Sequence, residues 1–231
     1  MPEPIQISLM STLGVQGVLQ EVLPGIKAAL GCRVVPRFGP TNAQLARIRQ
    51  GETADLAILT NAGIEEMTAA GVLRPGSRVD IARSFVGLAI RPGAPRPDIG
   101  SVEAFKRTLL EAKSICYSGA GASGVYFAGL IERLGIAEAV NAKATIIPQG
   151  FTAAVLARGE VELAVQQVSE LMAVPGVEIL GRLPAEIQNS AIFAGAVFAA
   201  SSQPESAGAL LRRLAAAATP ELLRAKGLEP A

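Results

Sequence analysis

The sequence predicts an α/β protein of two lobes, each a mostly parallel sheet flanked by helices. Three observations carry this. Short β-type runs alternate with helical patterns along the whole chain, the signature of βαβ units. One junction occurs twice. RQGETADLAI at Arg49–Ile58 and ARGEVELAV at Ala157–Val165 each end a helix, turn at Gly-Glu and lead through an acidic residue into an apolar strand. Glycine suits the position just past a helix, where a left-handed backbone is common. Two breaks then mark crossings: the Pro/Gly-rich RPGAPRPDIG at Arg91–Gly100 and RLPAEIQNSA at Arg182–Ala191. The chain is expected to leave lobe one near Arg83–Ile90 and return near Ala191–Val197. Residues 1–83 with 192–231 then form a discontinuous lobe one, residues 84–191 form lobe two, and a ligand cleft lies between them.

In chain order the expected strands are Ile5–Met10, Arg33–Phe38, Leu56–Leu59, Phe85–Ile90, Ser114–Tyr117, Ala144–Pro148, Leu163–Gln166 and Ile192–Ala199. The expected helices are Leu13–Leu30, Asn42–Gln50, Ala62–Ala70, Val102–Ala112, Gly124–Leu134, Phe151–Arg158, Pro204–Ala217 and Pro220–Ala225. The last two are rich in alanine and leucine, which favours helix and close packing.

Composition narrows the chemistry. The 231 residues are half hydrophobic, enough for a sizeable core. With a net charge of +1, no basic block and few aromatics, the chain lacks a nucleic-acid-binding stripe or stacking platform. It has no histidine, which excludes Ser-His-Asp and Cys-His machinery and every histidine-ligated metal. Acid–base work would fall to Asp, Glu, Lys, Tyr or Cys. Cys32 and Cys116 sit in or beside apolar strands in different halves, so buried thiols are expected rather than a disulfide. No run is long and apolar enough to insert in a membrane, and no secretory pattern precedes the first strand. The expectation is a cytoplasmic protein as the sequence stands, or a periplasmic one if Met1 replaces a removed signal.

The most distinctive motif is SICYSGAGASGVYFAGLIERLG, Ser114–Gly135. Gly119, Gly121 and Gly124 spell G-x-G-x-x-G between a strand and a helix. A dinucleotide site also needs an acidic residue about 20 positions on, at the end of the next strand. That strand, ATIIP, is followed by Gln149 and Gly150 and carries no acid. The motif then reads either as a structural turn or as a cradle for a small anion, which helix-start N–H groups favour. The other strand ends share its neutral polarity: Ser11 and Thr12, Thr41 and Asn42, Thr60 and Asn61, Ser118 and Ser123, then Gln149, Gly150 and Thr152, and Gln166, Gln167 and Ser169. Each such residue can be an ordinary helix cap. Together they can hold an anion without a salt bridge, and they lack the carboxylate cluster of a Mg²⁺ or Ca²⁺ site. Neither a cofactor nor a metal is expected.

These segments resemble the type II periplasmic-binding-protein fold, and within it the molybdate-binding proteins of ABC importers. The resemblance covers nearly the whole chain. ISLMSTLG is similar to that family's opening strand and turn, with Ser11 at the first ligand serine. In FGPTNAQLARIRQGETADLAIL, Asn42 stands where a second ligand serine would. SGAGASGVYFAGLIERLGI resembles the family's P-x-G-x-Y-A segment, with Ser123, Gly124 and Tyr126 in register. In LARGEVELAVQQVSEL, Gln167 stands at a ligand tyrosine and Glu170 near an acidic position, and LLRAKGLEPA resembles the family's tail. Asn and Gln both donate and accept, which suits a small organic acid better than a bare tetrahedral oxyanion.

The resemblance implies a solute-binding protein for a small anion, working with an ABC permease. Ser11, Thr12, Asn42 and Asn61 would bind from lobe one, and Ser123, Gly124, Tyr126, Gly150 and Gln167 from lobe two. The alternative is a cytoplasmic enzyme on the same scaffold, an isomerase, tautomerase or lyase of a small carboxylate. Its candidate proton-transfer groups are Glu170, Tyr126 and Cys116. Arg37 could pair with a carboxylate, or serve only as a solvated strand residue.

Overall fold

Alternation of apolar runs and amphipathic stretches produces nine strands and ten helices over residues 5–231, the part of the chain that the computed structural model describes. In order they are β1 (Gln6–Thr12), α1 (Gln16–Leu30), β2 (Arg33–Gly39), α2 (Thr41–Arg49), β3 (Leu56–Thr60), α3 (Asn61–Ala69), β4 (Val79–Ile90), α4 (Val102–Glu111), β5 (Ile115–Ser118) and α5 (Ala122–Arg133). Then follow α6 (Ala137–Asn141), β6 (Ala144–Ile147), α7 (Thr152–Ala157), β7 (Leu163–Gln167), α8 (Val168–Leu171), β8 (Glu178–Arg182), β9 (Ser190–Val197), α9 (Pro204–Ala217) and α10 (Pro220–Ala225). The chain gathers into two units, residues up to Arg83 with Ala191–Ala231, and Ser84–Ser190. The boundaries fall inside β4 and at the start of β9.

The first unit orders its strands β2-β1-β3-β9. The β1–β2 and β1–β3 pairs are parallel, and β3–β9 is antiparallel. Successive side chains point to opposite faces of a strand, so the sheet carries two cores. Ile7, Leu9, Leu56 and Ile58 meet Val18, Leu19 and Leu23 of α1 and Leu210, Leu211 and Leu214 of α9 on one face. Met10, Ala57 and Leu59 meet Leu45 and Ile48 of α2 and Ile64 and Met67 of α3 on the other.

The second unit repeats the plan. Around β7, β5 and β6 run parallel on one side; on the other β4 pairs antiparallel with β7, and β8 pairs antiparallel with β4. Val86, Leu88, Ile115, Tyr117 and Val165 pack with Phe105 of α4 and Phe127 of α5. Ala89, Cys116 and Ala164 pack with Leu156 of α7 and Leu171 of α8.

Three elements were not legible in the sequence. Helices α6 and α8 span 5 and 4 residues, too short to display a helical period. Strand β8 lies just before a loop that the sequence reads as a break. Conversely, β4 runs 12 residues, starting six before the expected Phe85, because its first half belongs to the first unit.

The repeated helix–Gly-Glu–strand junction has a structural counterpart. Gly51 and Gly159 both adopt positive φ, 92° and 79°. In the first unit the Asp55 N–H donates to Ser8 Oγ at 3.0 Å, while the Asp55 carboxylate accepts the Ser8 N–H at 2.8 Å, the Ser8 hydroxyl at 2.8 Å and the Ser201 hydroxyl at 2.7 Å. In the second unit the Glu162 N–H donates to Ser114 Oγ at 3.0 Å, and its carboxylate accepts the Lys113 N–H at 2.8 Å. One device thus aligns the start of a strand with its parallel neighbour in both units.

Burial alone would raise the Asp55 carboxyl, but hydrogen bonds from Ser201, Ser8 and Gln203 outweigh it and hold the group below its ordinary value of 3.8. A lowered folded value means that this stabilisation is present above the unfolded value and is lost as pH falls through the folded one. Asp55→Asn should therefore cost about 1–3 kcal/mol at pH 7, with the deficit shrinking as pH falls below 3.8. Urea denaturation at both pH values tests this, and equal stability at pH 7 would refute the junction's role.

Candidate functional site

Each unit places its polar strand ends at helix starts, where the first N–H groups of a helix have no partner within it. In the first unit Ser11 and Thr12 close β1, fully buried. Thr12 caps the short 3₁₀ turn at Leu13–Val15, and its Oγ1 lies 2.9 Å from Oγ1 of Thr41, the first residue of α2. Ser11 donates its hydroxyl to Thr12 O at 3.1 Å. The Gln44 amide donates to Ser11 O at 3.2 Å and Arg37 O at 3.0 Å, which ties α2 to the ends of β1 and β2, and its buried Oε1 has no partner. Asn42 is exposed in the first turn of α2, and Asn61 is half-buried as the first residue of α3, which Thr60 caps. The Arg37 guanidinium is taken by Glu52, so its charge is spent on the junction loop.

In the second unit the turn after β5 is built by Ser118, whose Oγ accepts the Gly121 N–H at 2.9 Å. Gly124 is required by close approach, since a Cβ there would sit 1.7 Å from Ser118 O. The third glycine of the motif therefore lets α5 lie against the end of β5. Ser123, one residue earlier, is 1% exposed and its hydroxyl has no protein partner. The Tyr126 hydroxyl donates to Ile187 O at 2.7 Å, and Arg133 stacks on its ring. The Gln167 Oε1 accepts the Ser84 hydroxyl at 2.8 Å. Gly150 turns the chain towards α7, and its carbonyl accepts the Gln166 amide at 3.1 Å.

The three candidate proton-transfer groups differ sharply in environment. Cys116 lies fully buried in β5, and burial pushes its thiol up to about 12, so it stays protonated. Tyr126 has its proton engaged with a backbone carbonyl. Glu170 sits at the third position of α8 with 5% exposure. Burial raises its carboxyl to about 8, against hydrogen bonds from the Gln167 N–H and the Gln166 side chain that lower it. The neighbouring Ser169 hydroxyl is buried without a partner. A carboxyl that titrates near neutrality can both take and return a proton.

Sequence reasoning ranked the ends of β6 and β7 only by polarity and did not find the bonds that join them. The one available signal was the run of Gln166, Gln167 and Ser169 after an apolar strand. Gln44 left a fainter signal, a polar residue among the apolar positions of α2.

Two α/β units with neutral polar residues at their strand ends fit a solute-binding protein. The chain belongs to the bacterial extracellular solute-binding protein family, whose pattern matches residues 7–229. It is 37% identical over 230 residues to an aconitate isomerase from a Pseudomonas species, which covers 97% of this chain and 87% of that protein. Its fold is similar to the periplasmic molybdate-binding protein of Azotobacter vinelandii, with a TM-score of 0.75, 15% identity and coverage of 96% and 98% of the two chains. It is also similar to a periplasmic thiamin-binding protein, with a TM-score of 0.76, 14% identity and coverage of 100% and 84%. The type II periplasmic-binding-protein fold is thereby established. Among the described residues, no helix is long and apolar enough to cross a membrane.

A buried carboxyl raised from 4.5 to about 8 penalises the folded state as pH climbs through that interval. Glu170→Gln should match the wild type near pH 4 and exceed it at pH 9, by on the order of 5 kcal/mol. Urea denaturation across pH checks this, and a variant weaker than wild type at pH 9 would assign the carboxylate a structural role. Iodoacetamide at pH 8 should label the half-buried Cys32 in the native protein and leave Cys116 unmodified, as read by peptide mass spectrometry. Rapid labelling of Cys116 would contradict its buried environment.

Proposed function

We propose that this chain is an isomerase of a small unsaturated polycarboxylate, aconitate or a close analogue, working on a solute-binding scaffold. The observation that carries the reading is the Glu170 carboxyl, buried and poised near pH 8, in a chain related over 97% of its length to an aconitate isomerase. Aconitate is a propene bearing a carboxylate on each carbon of its chain, one of those carbons being a methylene. Ionised Glu170 would take a proton from the methylene. The electron pair left behind spreads over three carbons and into the carboxylates. Return of a proton from the Glu170 carboxyl, free to exchange with solvent between the two steps, to the other terminal carbon moves the double bond and allows its geometry to change. Atoms and electrons balance, and one carboxyl acts in turn as base and acid.

Neutral donors suit such a substrate. Hydroxyls and N–H groups can hold carboxylates and stabilise the charge that develops on them, without a cation that would lower the pKa of Glu170. We infer that Ser123, Gly124 and Gly150, in the same unit as Glu170, contribute to this binding, while Ser11, Thr12, Asn42 and Asn61 offer neutral groups of the same kind in the first unit. Ser123 is the best supported, because its hydroxyl is buried and unpartnered. Tyr126 and Gln167 support it indirectly, since their polar atoms are bonded to Ile187 and Ser84.

The second reading is a binding protein that delivers a small anion to an ABC permease. Family membership favours it, as does the position of Glu170. The third helical position is where a glutamate of a capping box stands.

Proton NMR of trans-aconitate in D₂O separates the two readings. The isomerase should convert it to the cis form and exchange its methylene protons. Its kcat/KM should rise with pH to a plateau above about 8. Glu170→Gln should lose about 10²–10⁴-fold in kcat while still raising its melting temperature with aconitate. Wild-type protein that is stabilised by aconitate but leaves it unchanged and unexchanged would be a binding protein.

A further inference from the structure

The Pro/Gly-rich segment Arg91–Gly100 walls a cavity of about 280 Å³ in the second unit. Small-molecule pockets begin at about 300 Å³, so the space suits one compact ligand. The floor is apolar and closed, with Ile90 at the end of β4 and Leu163 at the start of β7 2% and 3% exposed. Ala94, Pro95 and Pro97 form one side. The mouth is charged: Arg91 from the segment, Glu111 from the last position of α4, and Glu162 from the strand junction. Strand β7 closes at Gln167, so the cavity lies at the opposite end of that strand from Glu170.

The wall is fixed by the protein's own bonds. The Thr108 hydroxyl of α4 donates to Asp98 O at 2.9 Å, and the Gly100 N–H donates to the Asp98 carboxylate at 2.8 Å. Arg96 pairs with Glu178 of β8. Pro95 and Pro97 stiffen the stretch between these anchors. A site fixed in advance binds without the cost of ordering itself.

The charges at the mouth are uncommitted. Among the described residues no ion pair joins Arg91, Glu111 or Glu162 to a partner. Neighbouring lysines do not neutralise the two carboxylates. Lys113 gives Glu162 only its backbone N–H, and Lys143 Nζ donates to Leu110 O at 2.6 Å. The Arg91 guanidinium lies over Gly159, where a Cβ would stand 3.1 Å from it.

We propose that this cavity is a second ligand site, for a free amino acid with an apolar side chain. The side chain would fill the apolar floor. The ammonium would meet Glu111 and Glu162, and the carboxylate would meet Arg91. An organic anion without the ammonium would face two carboxylates, and an organic cation without the carboxylate would face the guanidinium.

Isothermal titration of the full chain with L-leucine tests this. Isocaproate, which lacks the ammonium, and isoamylamine, which lacks the carboxylate, are the controls. L-leucine should bind about tenfold more tightly than either. Arg91→Gln should weaken L-leucine about tenfold and leave isoamylamine unweakened. Glu111→Gln should weaken L-leucine severalfold, since Glu162 remains, and leave isocaproate unweakened. Both residues are exposed, so the fold does not depend on them. Ala94→Phe should abolish binding by filling the cavity, and if it does not fold the two charge variants decide the matter. No binding of L-leucine at about 10 mM would overturn the proposal. So would equal affinity for isoamylamine, or L-leucine binding that every folded variant leaves intact. Aconitate is absent throughout, so the outcome is independent of the isomerase reading.

Discussion

A helix that follows a strand begins with N–H groups that the helix cannot satisfy, and at several helix starts in this molecule a strand end supplies the acceptor. That constraint organises both units. Thr12 serves the 3₁₀ turn, Thr60 serves α3, and Ser118 serves the turn into α5. Where the local residue has no acceptor, as at Phe151, the oxygen comes from Gln166 on the neighbouring strand end. The polar residues crowded at one end of each sheet are first of all answers to this demand. Left over are Gln44 Oε1 and the hydroxyls of Ser123 and Ser169, which have no partner, together with the buried carboxyl of Glu170, on which the proposed function rests.

Glu170 is the costly member of this set. Its carboxyl is buried, and burial pushes it up to about 8. A protein that needed only a helix cap could use Gln at the same position without the desolvation penalty. Retaining an ionisable group there makes sense if its proton is used, the usual exchange of stability for activity. The proposed chemistry asks for little else, since one group moves one proton between two carbons of the same molecule. The solute-binding scaffold, with neutral donors to hold an anion, supplies the rest.

The two units share more than a plan. Ser8 with Asp55, and Lys113 and Ser114 with Glu162, align parallel strands in the same way, the acid's N–H on a serine hydroxyl and its carboxylate on a backbone N–H of the neighbouring segment. The repeat was visible in the sequence as two Gly-Glu junctions because a helix end, a left-handed turn and an acidic residue are all local features. The strands were legible for the same reason. Ile7, Leu9, Leu56 and Ile58 carry one face of their sheet by simple alternation. The candidate site was legible only as a set of residue types. Its strand-end positions followed from topology, but nothing local distinguished Gln167, bonded to Ser84 at 83 positions' remove, from Ser123, which is bonded to nothing.

The sequence by itself determined the α/β alternation, the faces of the strands, the neutral polar strand ends and, through the absence of histidine, the kinds of catalysis that could not occur. These follow from periodicity and composition, which are properties of neighbours in the chain. Only the tertiary structure decided which polar groups are consumed by the fold and which are left over. It set Gly124 against Ser118 O, locked the Gln166 amide on Thr152, and buried Glu170 until its carboxyl titrates near 8. Hydrogen-bond satisfaction and desolvation depend on groups that are distant in sequence and adjacent in space, so no reading along the chain could have assigned them.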